Sequence, residues 1–232
     1  MLAIPFKLSG DSKSADWDKA LLKFVSRSYS PQQAEAHKAQ FAAVAEQRKQ
    51  VLTIVTRGVT PTTAADTEIA LRRYFRLLCA IEKRFEGADL RMQFSWKDAF
   101  DHVAKQGEAD VHFESAAVLF NLLAVSSYMA VHQSRADADG IKLACQRYQQ
   151  TAGLIEALVA HVSGTPWSER GTIDLTQAML QMMRKLMLAQ AQRCFYEKAA
   201  LESMSPKLLC KIAAQVSVGV RGARGVAIVE KG

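Results

Sequence analysis

Four cysteines and five histidines are the side chains in this sequence best suited to nucleophilic or metal chemistry. Zinc and dithiol sites use short spacings between such residues, but there is no C-x-x-C pair, and no two histidines lie three or four residues apart. Cys194, on an apolar helical face, is the best candidate nucleophile, yet a buried, inert thiol is the simpler interpretation. We expect no catalytic residue, no metal site and no cofactor. An unrecognised enzyme that uses Cys194 or a histidine is one alternative.

Two other patterns favour binding over catalysis. Leu208 and Ile212 are four residues apart after Ser205-Pro206, so they share one face of a predicted helix. An apolar face that the core does not use suits recognition of a partner helix, whereas a core role is the alternative. The segment Arg72–Arg76 (RRYFR) is basic and aromatic, which is most typical of a solvated helix face. It also supports a second function, a basic helical protein that binds anionic lipid or nucleic acid.

Long helices must position these residues, because apolar side chains recur at helical spacing along most of the chain. A helix that begins near Trp17 precedes a break at Ser30-Pro31, and a last helix begins at Ser205-Pro206. The intervening helices are predicted at 32–56, 66–85, 108–132, 138–162 and 172–201. Long helices joined by short loops indicate a bundle or a stack of helical hairpins.

Strand signals are confined to two short segments. Ala3–Leu8 is a short apolar stretch, and Arg91–Trp96 alternates apolar and polar residues with a period of two. We expect these two segments to pair in a small sheet. From Val216 the sequence VSVGVRGARGVAIVEKG has four glycines and no helical stripe, and we predict a disordered tail over 216–232.

Composition limits the classes that remain. The chain has 232 residues, of which 49% are hydrophobic and 23% charged, as in ordinary folded proteins and unlike disordered ones. There are 30 Lys and Arg against 23 Asp and Glu, a net charge of +7 that favours acidic partners. The spaced cysteines indicate reduced thiols in the cytoplasm. No apolar run approaches the roughly 18 residues that span a bilayer.

Four ordered blocks of sequence resemble the Bro-one (BRO) domain family. The first two are FSWKDAF at 94–100 and FESAAVLFNL at 113–122. The third, 141–153, contains YQQTAG, similar to the family's F-Q-x-A-A-G helix, and the fourth, LMLAQAQRCFYEKA at 186–199, is similar to its LMLAQAQE signature. The opening IPFK is also similar, and the resemblance covers residues 2 to 215.

The resemblance implies a mostly helical, curved domain with a core of helical hairpins like tetratricopeptide repeats and a small N-terminal sheet. It implies an endosomal-sorting adaptor and not an enzyme, cytoplasmic and recruited to endosomes. The concave face of such domains receives the C-terminal amphipathic helix of an ESCRT-III subunit of the Snf type. The positions that match this binding patch are Phe195, Leu208 and Ile212, with Lys198 among the neighbouring polar positions. Peripheral contact with anionic endosomal membrane is a further expectation, and nucleic acid is not an expected partner.

The family domain extends well over a hundred residues beyond the position of Gln215. We therefore expect residues 1–215 to be the N-terminal part of a Bro-one domain, followed by the divergent tail. A truncated fragment without function is a further alternative, because loss of later helices would expose apolar faces.

Overall fold

A computed structural model describes residues 1–10, 16–86 and 89–229, the last twelve of these as backbone only. Over these residues the fold is mostly helical with one small sheet, as predicted. The two strands are β1 (Phe94–Lys97) and β2 (Lys105–Glu108). The helices are α1 (Trp17–Ser28), α2 (Pro31–Ala36), α3 (Lys38–Arg57), α4 (Ala64–Arg84), α5 (Val111–His132), α6 (Ala138–Val162), α7 (Gln177–Leu201) and α8 (Pro206–Val229).

The chain divides into two compact units. The N-terminal unit is Lys7–Asn121 and holds α1 to α4, both strands and the first half of α5. The C-terminal unit consists of Met1–Phe6 and the chain from Leu122 onward, with the second half of α5 followed by α6, α7 and α8.

The helix predicted at 32–56 is two helices. Pro31 begins α2, whose N-cap Ser30 accepts a hydrogen bond from the Gln33 backbone N–H at 3.2 Å. His37 then leaves helical geometry, and α3 begins at Lys38. The apolar stripe does not reveal this break, because Ala34 and Phe41 are buried on either side of it.

The small sheet pairs different strands from those predicted. β1 pairs with β2 in antiparallel register, with Phe94 opposite Glu108. The N-terminal arm meets β1 only at an isolated bridge between Ser9 and Trp96, beside which Lys97 N–H donates to Leu8 O at 2.9 Å. Sequence reasoning missed β2 because KQGE carries no apolar alternation.

A buried carboxylate joins the elements of the N-terminal unit. Glu114 Oε1 accepts from Arg48 Nε at 2.8 Å and from the Tyr74 hydroxyl at 2.9 Å. Its Oε2 accepts from Trp96 Nε1 at 2.7 Å, and Trp17 Nε1 donates to the Tyr74 hydroxyl at 3.0 Å. All five side chains are shielded from solvent, so α1, α3, α4, β1 and α5 are held by one satisfied polar network.

The C-terminal unit consists of the N-terminal arm, the second half of α5 and the three helices α6, α7 and α8. The predicted bounds of α6 agree with its observed span, and Asp137 caps it by accepting from Gly140 N–H at 2.7 Å. The arm is extended, and its backbone groups form hydrogen bonds with side chains instead of with a neighbouring strand. Ile4 N–H donates to Ser127 Oγ at 2.8 Å, and Gln190 Nε2 donates to Leu2 O at 3.0 Å.

In the described part of the chain, α5 has the length and hydropathy of a membrane-spanning helix. Its window of 18 residues has a mean hydropathy of 1.4, although the sequence contains no continuous apolar run of that length. Of that window, 78% is buried inside the protein. Such burial is typical of a central core helix.

Helix α8 continues through Val216 to Val229, where the sequence analysis predicted a tail without secondary structure. Gly219, Gly222 and Gly225 cost about 1 kcal/mol each relative to alanine but do not terminate a helix, and no proline follows Pro206. Residues 230–232 of the predicted tail lie outside the described residues.

Candidate functional site

Helices α7 and α8 pack against each other as a hairpin, joined by a turn of four residues, 202–205. The turn closes α7 with the hydrogen bonds of a Schellman motif: Met204 N–H donates to Ala199 O at 3.0 Å and Ser203 N–H to Ala200 O at 3.1 Å. Ser203 has φ 52°, in the left-handed region where glycine is usual. Pro206 begins α8, as predicted from its fixed φ.

The core takes one face of α7. Met183, Met187 and Cys194 are buried on this face, and α7 packs against α6. Cys145 Sγ lies 3.6 Å from the Ala191 carbonyl oxygen, which joins the two helices directly. Burial raises the pKa of the Cys194 thiol to about 12, with a smaller effect from Cys145. A protonated, buried thiol is a poor nucleophile, and this geometry supports its interpretation as a core residue.

The patch positions remain at the surface. Phe195 is 53% exposed and Leu208 is 40% exposed, while Ile212 is half-buried. Leu201 and Met204, at the turn between them, are 51% and 39% exposed. We call these five side chains the hairpin patch. The hairpin therefore presents apolar side chains from the end of α7, the turn and the start of α8.

The hairpin geometry places Phe195 and Ile212 at one level. Phe195 lies six residues before the last residue of α7, and Ile212 lies six residues after the first residue of α8. At 1.5 Å per residue, each is about 9 Å from the turn along its own helix. Leu208 lies between Ile212 and the turn, one helical turn away. This height relationship follows from helix spans, whereas the sequence motif alone indicates only the residue types.

Charged residues border the hairpin patch on α7. Lys198 lies 3.6 Å from Glu202, with Nζ and Oε1 as the closest atoms, and both side chains are about two-fifths exposed. Glu197 is held by two arginines, by Arg193 Nε at 3.1 Å and by Arg135 Nε at 3.1 Å. Arg135 comes from the loop before α6, so this pair ties that loop to α7. The Arg193–Glu197 spacing could have been predicted from the sequence, whereas the contact of Arg135 had no sequence signal.

Two buried polar atoms near this border have no hydrogen-bond partner within the described residues. They are Arg135 Nη1 and the Tyr148 hydroxyl. Burial is the main cause that raises the pKa of Tyr148 to about 12, and the Arg135 guanidinium opposes this rise. Tyr148 occupies the aromatic position of the YQQTAG block. Because the phenol stays neutral, Tyr148 adds no buried charge to this part of α6.

Comparison with known sequences identifies relatives along nearly the whole chain. The family model described as BRO1-like domain matches residues 1–220. ALG-2 interacting protein X of Dictyostelium discoideum is 31% identical over 208 residues, which cover 89% of this chain and 25% of that protein. Vacuolar-sorting protein BRO1 of Arabidopsis thaliana is 30% identical over 224 residues, which cover 94% of this chain and 26% of that protein. The chain thus spans about a quarter of the length of these curated relatives.

Solved structures match the fold over almost the same range. A structure titled ALIX BRO1 CHMP4C complex has a TM-score of 0.79 and 26% identity, and the match covers 97% of this chain and 64% of that one. ALIX in complex with the SIVmac239 PYKEVTEDL late domain also has a TM-score of 0.79, with 25% identity over 97% of this chain and 33% of that one. The resemblance seen in the four sequence blocks is confirmed, and the chain belongs to the family of BRO1-like domains.

Proposed function

We propose that this chain is an endosomal-sorting adaptor module that binds the C-terminal amphipathic helix of an ESCRT-III subunit of the Snf type at the hairpin patch. The grouping of exposed Phe195, Leu201, Met204 and Leu208 in one helical hairpin carries the proposal. Single exposed apolar side chains are common on folded proteins, whereas an exposed apolar patch marks an interaction site. The similar ALIX BRO1 domain is in a complex with CHMP4C, which supports this class of partner.

The patch has the form that a helix needs. Anchors on one face of a helix recur at i, i+3, i+4 and i+7 and so extend about 10 Å along its axis. Leu208 and Ile212 supply a contact line on α8, and Phe195 supplies one on α7 at the height of Ile212. An amphipathic helix lying across both lines would cover three apolar side chains at once. Burial of each anchor would contribute about 1–2 kcal/mol.

Lys198 places a positive charge at the edge of the hairpin patch, where it contributes to the selection of partners with acidic residues. Its pair with Glu202 is solvent-exposed and therefore worth about 0–1 kcal/mol, so an acidic residue of the partner can replace Glu202 at low cost. Rim charges of this kind affect association rate and orientation more than affinity.

The same proposal includes the cellular setting. Sorting relatives such as vacuolar-sorting protein BRO1 support a cytoplasmic protein that is recruited to endosomes. The net charge of +7 supports peripheral attraction to the anionic membrane there. We propose no role in catalysis and none in nucleic-acid binding.

Hydrogen exchange tests where the partner binds. A peptide of the CHMP4C C-terminal helix is added to the full chain, and amide exchange is followed by mass spectrometry. We expect slower exchange in peptides that cover 195–212, because a bound helix stabilises the turn and both helix ends. Slower exchange confined to the N-terminal unit, or none at a saturating peptide concentration, would contradict the proposed site.

A further inference from the structure

Helix α4 has two distinct faces, one that is buried in the core and one that lies at the surface. Leu71, Tyr74 and Leu78 are fully buried on the core side. Another set of side chains, at relative positions i, i+3, i+4, i+7 and i+8, stays at or near the surface, a spacing that defines one helix face. The members are Ile69, Arg72, Arg73, Arg76 and Leu77.

These five side chains and Gln47 of α3 line a groove of about 570 Å³ in the N-terminal unit. Ile69 is 58% exposed at one end, and Leu77 is half-buried eight residues further along α4. Eight residues of helix separate their Cα atoms by about 12 Å along the axis. The groove therefore has two apolar ends with arginines between them.

Two of the arginines are available to a ligand. Arg72 Nη2 lies 2.6 Å from Glu68 Oε1, so its charge is already paired. Neither Arg73 nor Arg76 has an ion-pair partner among the side chains that the structure describes, and both are exposed. The groove thus keeps two unneutralised guanidinium groups next to exposed apolar surface.

The side-chain oxygen of Gln47 is a second polar feature of the groove, separate from the arginine charges. Its Oε1 is buried at the groove and accepts no hydrogen bond from the described residues. A buried acceptor without a donor destabilises the free protein. A polar side chain of a bound helix with an N–H or O–H group would satisfy it, beside carboxylates that pair with the arginines.

We propose that this groove between α3 and α4 binds an acidic amphipathic helix of a partner protein. Apolar anchors spaced by seven or eight residues contact Ile69 and Leu77, and carboxylates between them pair with Arg73 and Arg76. Arginine favours this ligand because its planar fork binds a carboxylate through two parallel hydrogen bonds. A membrane-surface helix instead separates a continuous apolar face from its basic residues. Here the arginines lie between two apolar residues on the same face.

This site lies outside the hairpin patch, so it can be tested alone. The probe is a fluorescein-labelled helical peptide on an alanine background, with leucines at i and i+7 and glutamates at i+3 and i+4. It is titrated into the full chain at low and at physiological salt, and anisotropy is read. We expect saturable binding that weakens with salt, and no binding of the same peptide with lysines in place of the glutamates.

A charge-matched pair of variants separates the groove from net charge. Arg73→Gln with Arg76→Gln takes the net charge from +7 to +5, and so does Lys83→Glu at an exposed position of α4 outside the groove. We expect the double variant to raise the Kd about tenfold or more, and Lys83→Glu to change it less than about twofold. Ile69→Ser should weaken binding as well. Circular dichroism checks that each variant keeps its helicity.

Three results would overturn the proposal. Equal weakening by Lys83→Glu and the double variant would mean that net charge alone attracts the peptide. Unchanged binding in Ile69→Ser would remove the apolar anchor. Absence of peptide binding, together with binding of phosphatidylserine–phosphatidylcholine vesicles that the double variant abolishes, would assign the groove to a membrane surface instead.

Discussion

Phe195 and Ile212 lie at the same height in the α7–α8 hairpin, each six residues from the turn that joins the helices. The two residues are 17 positions apart in the sequence, but the turn at 202–205 reverses the chain and places them at equal distances from it. Phe195 is exposed and Ile212 is half-buried, so the hairpin can be stable without a ligand and still offer apolar surface to one.

Leu208→Asp should leave the fold intact. Leu208 is exposed, and surface substitutions usually change the free energy of unfolding by about 0.5 kcal/mol or less. Far-ultraviolet circular dichroism should show unchanged helicity and a melting temperature within a few degrees. Met187→Asp, at a fully buried position of α7, should by contrast lose cooperative unfolding. A large loss of helicity in Leu208→Asp would make Leu208 a core residue.

Ser203→Gly should stabilise the chain. Ser203 adopts φ 52°, which costs a residue with a Cβ about 1–2 kcal/mol, whereas glycine adopts it freely. Part of the gain is offset by the greater freedom of glycine in the unfolded chain, so we expect about 0.5–1 kcal/mol in urea denaturation. Ser205→Gly, just before α8, should give no gain. Equal effects of the two substitutions would contradict the strain at Ser203.

Glu114→Gln should destabilise the N-terminal unit strongly. The substitution leaves the Arg48 guanidinium buried without its carboxylate, a change that typically costs about 3–5 kcal/mol. Urea denaturation followed by tryptophan fluorescence is suitable, since Trp17 and Trp96 belong to the same network. Glu86→Gln removes an exposed carboxylate and serves as the control. A loss below about 1 kcal/mol for Glu114→Gln would show that the network is dispensable.

Stability should fall as the pH rises from about 9 to 12. The pKa of Cys194 is raised from 9.0 to about 12 and that of Tyr148 from 10.0 to about 12, each chiefly by burial. The unfolded chain therefore releases these protons at a lower pH than the folded chain does. The free energy of unfolding then decreases with pH, by about 1.4 kcal/mol per unit for each group.

Denaturant midpoints measured at several alkaline pH values test this pH dependence. Cys194→Ala should make the decline between pH 9 and 10 shallower, because Tyr148 begins to contribute only near 10. The same burial predicts that Cys145 and Cys194 resist alkylation in the folded chain, while the exposed Cys79 and Cys210 react. Rapid modification of Cys194 without unfolding would contradict its place in the core.

Local patterns predicted the elements whose apolar stripe is continuous. The bounds of α6 and the C-terminal end of α7 follow from capping residues and helical periodicity. The break at His37 could not be predicted, because the apolar stripe continues through it. The strand β2 could not be predicted either, because its sequence has no apolar pattern. The helix beyond Val216 also differs from the prediction, since glycine weakens a helix without ending it.

Long-range polar contacts were beyond sequence reasoning. Arg48 and Glu114 are 66 residues apart and fully buried, although each looks like an ordinary surface charge in its own helix. The contact of Arg135 with Glu197 is similarly invisible in the sequence. Helical spacing identified Leu208 and Ile212, and the family resemblance added Phe195 to them. Their exposure, their relative height and the neighbouring Leu201 and Met204 required the structure.

Binding of an ESCRT-III helix at the hairpin patch is tested most directly by a titration. A fluorescent peptide of the CHMP4C C-terminal helix is titrated into the full chain and into Ile212→Asp, and anisotropy is read at physiological salt. Ile173→Asp is the control, since Ile173 is exposed and precedes α7, whose first residue lies about 27 Å from Phe195 along the helix axis. We predict saturable binding, weakened about tenfold or more by Ile212→Asp and unchanged by Ile173→Asp. Absence of binding by the parent chain, or equal binding by Ile212→Asp, would contradict the proposed function.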